Sequence, residues 1–133
     1  TRLKAQLAMQ QTDQLAASSV RLVDDVKVLA AEARGIEMQT LRDMSDKLRE
    51  QLGSAVVVLA TVVDDKPQLL VAVTDDLLAR GLHAGELVKA IARVVGGGGG
   101  GRASLAQAGG RDATRLREAL DMVPDLVRQQ LKK

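Results

Sequence analysis

The chain contains no cysteine, no phenylalanine, no tyrosine and no tryptophan, and has one histidine among 133 residues. Without cysteine there is neither a disulfide framework nor a thiolate metal site, and a reducing compartment is the natural setting. A single histidine excludes a multi-histidine metal centre and leaves little room for a serine–histidine–acid triad. Without aromatic rings there are no cages for quaternary ammonium groups and no side-chain platforms on which unpaired bases stack. The longest strictly apolar run, Ala55 to Ala60, is far short of the ~20 residues of a membrane span. No signal-peptide pattern opens the chain. A sequence that begins at Thr1 without methionine is expected to be cut from something longer.

What is present is ordinary for one soluble domain: 46% hydrophobic and 27% charged residues, on a length that buries roughly two-thirds of its unfolded surface. The formal net charge is only +2, but it is unevenly spread. Residues 80–117 carry seven basic side chains (Arg80, Lys89, Arg93, Arg102, Arg111, Arg115, Arg117) against Glu86 and Asp112, whereas residues 1–79 are net negative. The basic stretch surrounds six consecutive glycines, Gly96 to Gly101. A local positive field beside exposed backbone N–H groups suits a polyanion; chance clustering on a solvated surface is the alternative.

Periodicity places the elements. Leu3, Leu7 and Leu15 predict an N-terminal helix over 1–19, suited to pairing with a second chain or simply the end of a longer helix. Val20–Val23 and Val26–Leu29 flank Asp24-Asp25 and predict a hairpin; a helix is the alternative, because Ala30 to Arg34 are good helix formers. Met38, Leu41, Met44, Leu48 and Leu52 predict an amphipathic helix closed by Gly53. Ala55–Val63 and Gln68–Val73 predict two buried strands joined at Asp64-Asp65-Lys66-Pro67. Thr74-Asp75-Asp76 is a cap for a short turn of helix, and Leu87, Val88, Ile91, Val94 and Val95 form the apolar face of a helix from about Ala84. After the glycines come a short strand, Ala103–Ala108, then Gly109-Gly110, then helices over Asp112–Leu120 and Pro124–Leu131. The expected class is α+β: a mixed β-sheet packed with helices over residues 20–133, preceded by an N-terminal helix.

Few residue groups carry chemistry. The pairs Asp24-Asp25, Asp64-Asp65 and Asp75-Asp76 lie at turns or helix starts, where aspartate bonds locally, and are read as structural rather than as a metal or acid–base site. His83 is expected to cap a helix or face solvent. Ser18, Ser19, Ser54 and Ser104 have no base nearby in sequence. Met38 and Met44 fit core packing. The glycine run is not a P-loop, because Arg102 and Ala103 follow it rather than Lys and Ser or Thr. It reads as a binding loop, with a flexible linker as the alternative.

The stretch from Val95 through Gly96–Gly101, Arg102-Ala103-Ser104-Leu105-Ala106-Gln107-Ala108 and Gly109-Gly110 resembles the C-terminal domain of the alanyl-tRNA synthetase family. The resemblance extends back through Ala84–Leu87 and Leu48–Val63, forward to Ala119-Leu120 and Pro124, and covers about residues 20–133. Two departures are visible. Gly98 stands where the family often has lysine, which removes one cation from the loop. Ala103 stands where it usually has proline, which loosens the loop's exit. The resemblance implies a cytoplasmic module with no active site or cofactor of its own. It would bind the outer corner of transfer RNA and help bring aminoacylation and editing onto one tRNA. Its parent would be an alanine–tRNA ligase using ATP and Mg. The preceding helix, through Leu3, Leu7 and Leu15, would support a homodimer. The same fold resembles the substrate-binding lobe of DHH-family phosphoesterases, whose Asp-His-His metal motif is absent from this sequence.

On that implication Gly97, Gly98, Gly99, Gly100, Gly101, Gly109 and Gly110 form the RNA-facing backbone. Arg102, Arg111 and Arg115 contact phosphates, with Lys89 and Arg93 behind them. Gln107 either hydrogen-bonds a sugar or base edge, or is a buried structural amide. Recognition is then by shape, through phosphates, 2′-hydroxyls and a flat backbone surface, with glycine peptide planes against an exposed base pair. Two other functions fit the residues: an oligomerisation scaffold with weak nucleic-acid affinity, and a phosphoesterase's binding lobe.

Overall fold

The computed structural model describes residues 20–23, 26–32 and 35–131; the helix expected over 1–19, with Leu3, Leu7 and Leu15, lies outside the described residues. The expected α+β class is what is found. The elements run β1 (Val20–Val23), β2 (Val26–Glu32), α1 (Met38–Leu52), β3 (Ala55–Val63), β4 (Lys66–Val73), α2 (Asp75–Leu78), α3 (Ala84–Val94), β5 (Gly98–Gly101), β6 (Leu105–Gly109), a 3₁₀ turn (Ala113–Arg115), α4 (Leu116–Asp121) and α5 (Val123–Leu131). One six-stranded sheet has the order β1-β2-β3-β4-β6-β5. Only β2 and β3 are parallel, and α1 is their crossover.

The near-continuous apolar character of β3 has a direct cause: both faces are covered. Val56, Val58 and Ala60 join Leu69, Val71, Ala106 and Ala108 beneath α3, α4 and α5. Ala55, Val57 and Leu59 join Leu29, Leu70 and Ala72 beneath Leu41, Met44 and Leu48 of α1. Those three α1 side chains are fully buried. The end of α1 is closed by Gly53, whose φ of 79° suits only glycine and whose N–H donates to the Arg49 carbonyl, while Lys27 Nζ donates to the Leu52 carbonyl at 2.9 Å.

Three details differ from expectation. Strand β2 continues to Glu32, because Ala30, Ala31 and Glu32 pair with Val58, Leu59 and Ala60; sheet pairing overrides the helix propensity of the alanines. Strand β4 starts two residues early and contains Pro67. Its missing N–H leaves no gap, since β6 pairs only from Gln68 onward and the Pro67 carbonyl accepts from Gly110 N–H at 3.0 Å. The β3–β4 turn puts both Asp64 and Asp65 at positive φ, 53° and 62°. That backbone matches strand twist and is one aspartate tolerates.

Between β4 and α2, Thr74 Oγ1 accepts from Ala55 N–H at 3.1 Å and donates to Asp76 Oδ1 at 2.7 Å, and Ser54 Oγ donates to Asp76 Oδ2. The Ser54 hydroxyl foremost, then that of Thr74, holds the Asp76 carboxyl below its ordinary value. A carboxyl depressed by folding adds stability that is present at neutral pH and lost as the pH falls through the folded-state value. Asp76→Asn is therefore expected to lower the melting midpoint at pH 7 by about 2 °C, a small effect because the group is exposed. The gap should begin to narrow below 3.8 and close as the pH falls through the lower folded-state value. Melting curves at pH 7 and pH 3 check this; an equal gap at both would remove the charge from the account.

Candidate nucleic-acid interface

The six glycines are not one loop. This corrects the loop reading, and the cause lies in what surrounds them. The first two close α3. Gly96, at φ 71°, donates its N–H to the Arg93 carbonyl at 3.2 Å, and Gly97 donates to the Ala92 carbonyl at 2.9 Å. That pair of bonds is a Schellman closure. Gly98 to Gly101 then form β5, one of the two edge strands of the described sheet, antiparallel to β6.

The need for glycine in β5 is spatial. A Cβ on Gly99 would lie 2.5 Å from the Cα of Ala108, and one on Gly101 would lie 2.7 Å from the Leu105 carbonyl oxygen. On Gly97 it would lie 2.5 Å from Gly110 Cα. The even positions differ: nothing lies within 4 Å of a Cβ on Gly98, and only Lys89 Cε, at 3.5 Å, faces one on Gly100. The strand thus lies against β6 closer than any side chain allows. Its outer side is backbone without side chains, with a row of peptide groups that no strand among the described residues pairs.

The exit from β5 is firm, contrary to the expectation at Ala103. Arg102 N–H donates to Leu105 O at 2.9 Å. The Ala103 carbonyl accepts from Ala84 N–H at 2.7 Å, and the Ser104 carbonyl from Val73 N–H at 2.8 Å. Ala84 opens α3, whose cap is His83: its Nδ1 accepts from Glu86 N–H at 3.2 Å, and its own N–H donates to the buried Gln130 at 2.9 Å. The single histidine is a structural cap, as its position beside a helix start indicated.

Two clefts open at the ends of β5. One, of about 540 Å³, is lined by Gly96–Gly98, Gly109 and Gly110 with Lys66, Gln68 and Arg111. The other, of about 290 Å³, is lined by Gly100, Gly101 and β6 residues with Arg42, Arg102 and Gln107. Both use the sheet face that carries α1. Gln68 and Leu70 share a face of β4, opposite Gly109 and Gln107 of β6, and Leu70 packs under α1. Helix α1 packs on β3 and β4, and the β6–β5 end of that face is left with little side-chain cover.

The expected site residues therefore fall into groups. Gly97–Gly101, Arg102, Gln107, Gly109, Gly110 and Arg111 come together. Lys89 lies along the free edge of β5 from α3, and Arg93, one turn on, is also exposed. Among the described residues, Lys66, Lys89, Arg93, Arg102 and Arg111 make no ion pair. Arg115 stands apart. Its guanidinium makes two hydrogen bonds to Glu118, Nε to Oε2 at 3.0 Å and Nη2 to Oε1 at 3.3 Å, and this pairing raises its pKa further. Sequence reasoning missed Lys66, Gln68 and Arg42, because β4 and α1 reach the glycines only through the sheet order. For Lys66 and Gln68 a signal existed: they flank Pro67 at the open end of a strand.

A mixed sheet whose edge is a strand of glycine flanked by cations defines a class. The chain belongs to the DHHA1 domain family, whose sequence pattern matches residues 25–129. It is 50% identical over 130 residues to the alanine–tRNA ligase of Pelotomaculum thermopropionicum, an alignment that covers 98% of this chain and 15% of that enzyme. The chain thus spans about one-seventh of the length of the first curated relatives it matches. Among solved structures it is similar to the C-Ala domain of Aquifex aeolicus alanyl-tRNA synthetase, with a TM-score of 0.75 and 28% identity, covering 82% of this chain and 97% of that one. A pGpG-specific phosphodiesterase from Vibrio cholerae shares the fold at 8% identity and a TM-score of 0.54, over 95% of this chain and 40% of that one. The resemblance to the alanyl-tRNA synthetase C-terminal domain, and its kinship in fold with phosphoesterases, both hold.

The open position at Gly98 allows a direct test of the cation count. Gly98→Lys is expected to fold with an unchanged melting midpoint, since a Cβ there meets nothing within 4 Å. If RNA lies along β5, the added cation should tighten its binding about threefold at low salt and steepen the salt dependence by roughly 0.7–0.9 in slope. Filter binding across a salt series measures both, and an unchanged slope would place Gly98 off the RNA path.

Proposed function

We propose that this domain is the tRNA-binding module of an alanine–tRNA ligase, and that it takes the outer corner of tRNA on the face built around β5. The observation that carries the reading is the glycine edge strand. Its outer peptide groups have no strand partner among the described residues, it pairs along its length with β6, and Arg102 and Arg111, without an ion pair among the described residues, stand at its two ends. A flat, side-chain-free strip fits a base pair exposed at the end of a helical stack, and the flanking cations fit the phosphates beside it. Lys66 and Lys89 extend the positive rim. Arg93 lies further out, and Arg115, already held by Glu118, contributes least. The absence of aromatic residues fits recognition of helical shape rather than of splayed bases. With no catalytic constellation among these residues, the domain's part in the ligase is to hold one tRNA while the aminoacylation and editing domains of the same chain act on it.

The test is binding of whole tRNA against an acceptor minihelix lacking the corner, over a range of salt. Tight binding of tRNA alone, with a log–log salt slope of roughly −2.8 to −3.6 for four neutralised phosphates, is the expected result. Equal affinity for both RNAs would leave a general basic patch, as the scaffold alternative has it.

A further inference from the structure

The smaller cleft contains an arrangement the glycine strand does not explain. Arg42 projects from α1, and Gln107 lies opposite Leu70 on the α1 side of the sheet. With its amide oriented to satisfy both groups, the Gln107 side-chain oxygen accepts from Arg42 Nε at 2.6 Å and from the Nη2 beside it. Gln107 is half-buried and Arg42 exposed, and both line the cleft with Arg102.

We infer that Arg42 is a phosphate-binding residue and that Gln107 is its positioning residue, the cleft between Arg42 and Arg102 taking a phosphate group of the RNA backbone. This rests on the RNA-binding reading above, and of the contacts named there it uses Arg102 alone. Three physical points carry it. First, a free surface arginine loses considerable rotamer entropy when it binds; here a strand residue has already fixed it. Second, Gln107 occupies only the Nε–Nη2 edge of the guanidinium, which leaves the edge between the two Nη groups for a second, bidentate acceptor. Third, Arg42 makes no ion pair among the described residues, and Arg102 shares its cleft. Two like charges lining about 290 Å³ repel until an anion joins them. Gln107 is thus neither a base-edge contact nor an inert buried amide.

The experiment uses the whole chain, with Arg42→Ala, Gln107→Leu, the double variant, and Arg128→Ala as a control for loss of one distant charge. Melting curves first confirm that each is folded. Arg42→Ala is expected to weaken tRNA binding about tenfold and to flatten the salt slope by roughly 0.7–0.9, with Arg128→Ala within twofold of wild type. Gln107→Leu should weaken binding about threefold with the slope unchanged, and should add nothing in the Arg42→Ala background. If tRNA binds but Arg42→Ala matches Arg128→Ala, the inference is overturned while the RNA-binding reading stands. If the Gln107→Leu loss adds in full to that of Arg42→Ala, Gln107 is a contact and not a positioning residue. If wild type binds no tRNA, the RNA-binding reading falls. The cleft is then judged by inorganic pyrophosphate: a saturable shift of the Arg42 Nε–H resonance assigns it to a free phosphate ligand, and no shift overturns it.

Discussion

Gly99→Ala is expected to unseat β5 and abolish tRNA binding, although it adds one methyl group to a strand at the surface. A Cβ at Gly99 would lie 2.5 Å from both Cα and Cβ of Ala108. These atoms belong to the neighbouring backbone and to a side chain that is itself packed in the core, so neither yields as a long flexible side chain would. Overpacking against rigid atoms costs about 3 kcal/mol, which for a chain of this length lowers the melting midpoint by about 10 °C. The hairpin relieves the clash by parting β5 from β6, and the flat strip disappears with it. Gly98→Ala, one residue away, has open space and should leave melting close to wild type. Thermal melts and tRNA titrations of the two variants side by side decide the matter. If both melt alike, close approach to β6 is not the reason for glycine at Gly99.

The second large effect is electrostatic. Arg102→Ala with Arg111→Ala removes the unpaired cations at the two ends of β5. Each phosphate that is no longer neutralised changes the salt slope by roughly 0.7–0.9, and a hydrogen bond to a charged group contributes about 1.5 kcal/mol or more. Together the substitutions should weaken tRNA binding about 100-fold and flatten the slope by nearly two, with no change in melting because both side chains are exposed. Arg115→Ala is the informative contrast. Its guanidinium is held by Glu118, and removing it should change affinity less than threefold. A loss from Arg115→Ala equal to that from either of the other two would mean that RNA displaces Glu118 and that the rim extends to α4.

Much of this was legible in the residues in order. The 3–4 spacing of Leu41, Met44 and Leu48, the unbroken apolar run of β3 and the turn at Asp64-Asp65 each reflect a local rule, in which an element's pattern follows the faces it must bury. The candidate site was legible where its parts are consecutive: the glycines, Arg102 and Arg111 are neighbours in sequence as well as in space. Arg42, Lys66 and Gln68 were invisible because they join the glycines only after β4 has paired with β6 and α1 has packed across β3 and β4. Arg115 is expected among the phosphate contacts from sequence, whereas Glu118, three residues on, reaches its guanidinium once the segment has turned into helix.

The division between chain and fold is sharpest in the glycine run. Composition alone dictates that Gly96–Gly101 carry no side chains, that cations stand around them and that no aromatic ring is available to stack on a base. Those are covalent facts and hold in any conformation. Whether such a run is a linker, a loop or a strand is not a covalent matter, because glycine has almost no local preference to overcome. The sheet makes that choice. Strand β6 offers hydrogen-bonding partners along one side, α3 delivers the chain at Gly96 already turned, and the Arg102–Leu105 turn ties the far end. A segment without intrinsic conformation takes the shape of what it pairs with.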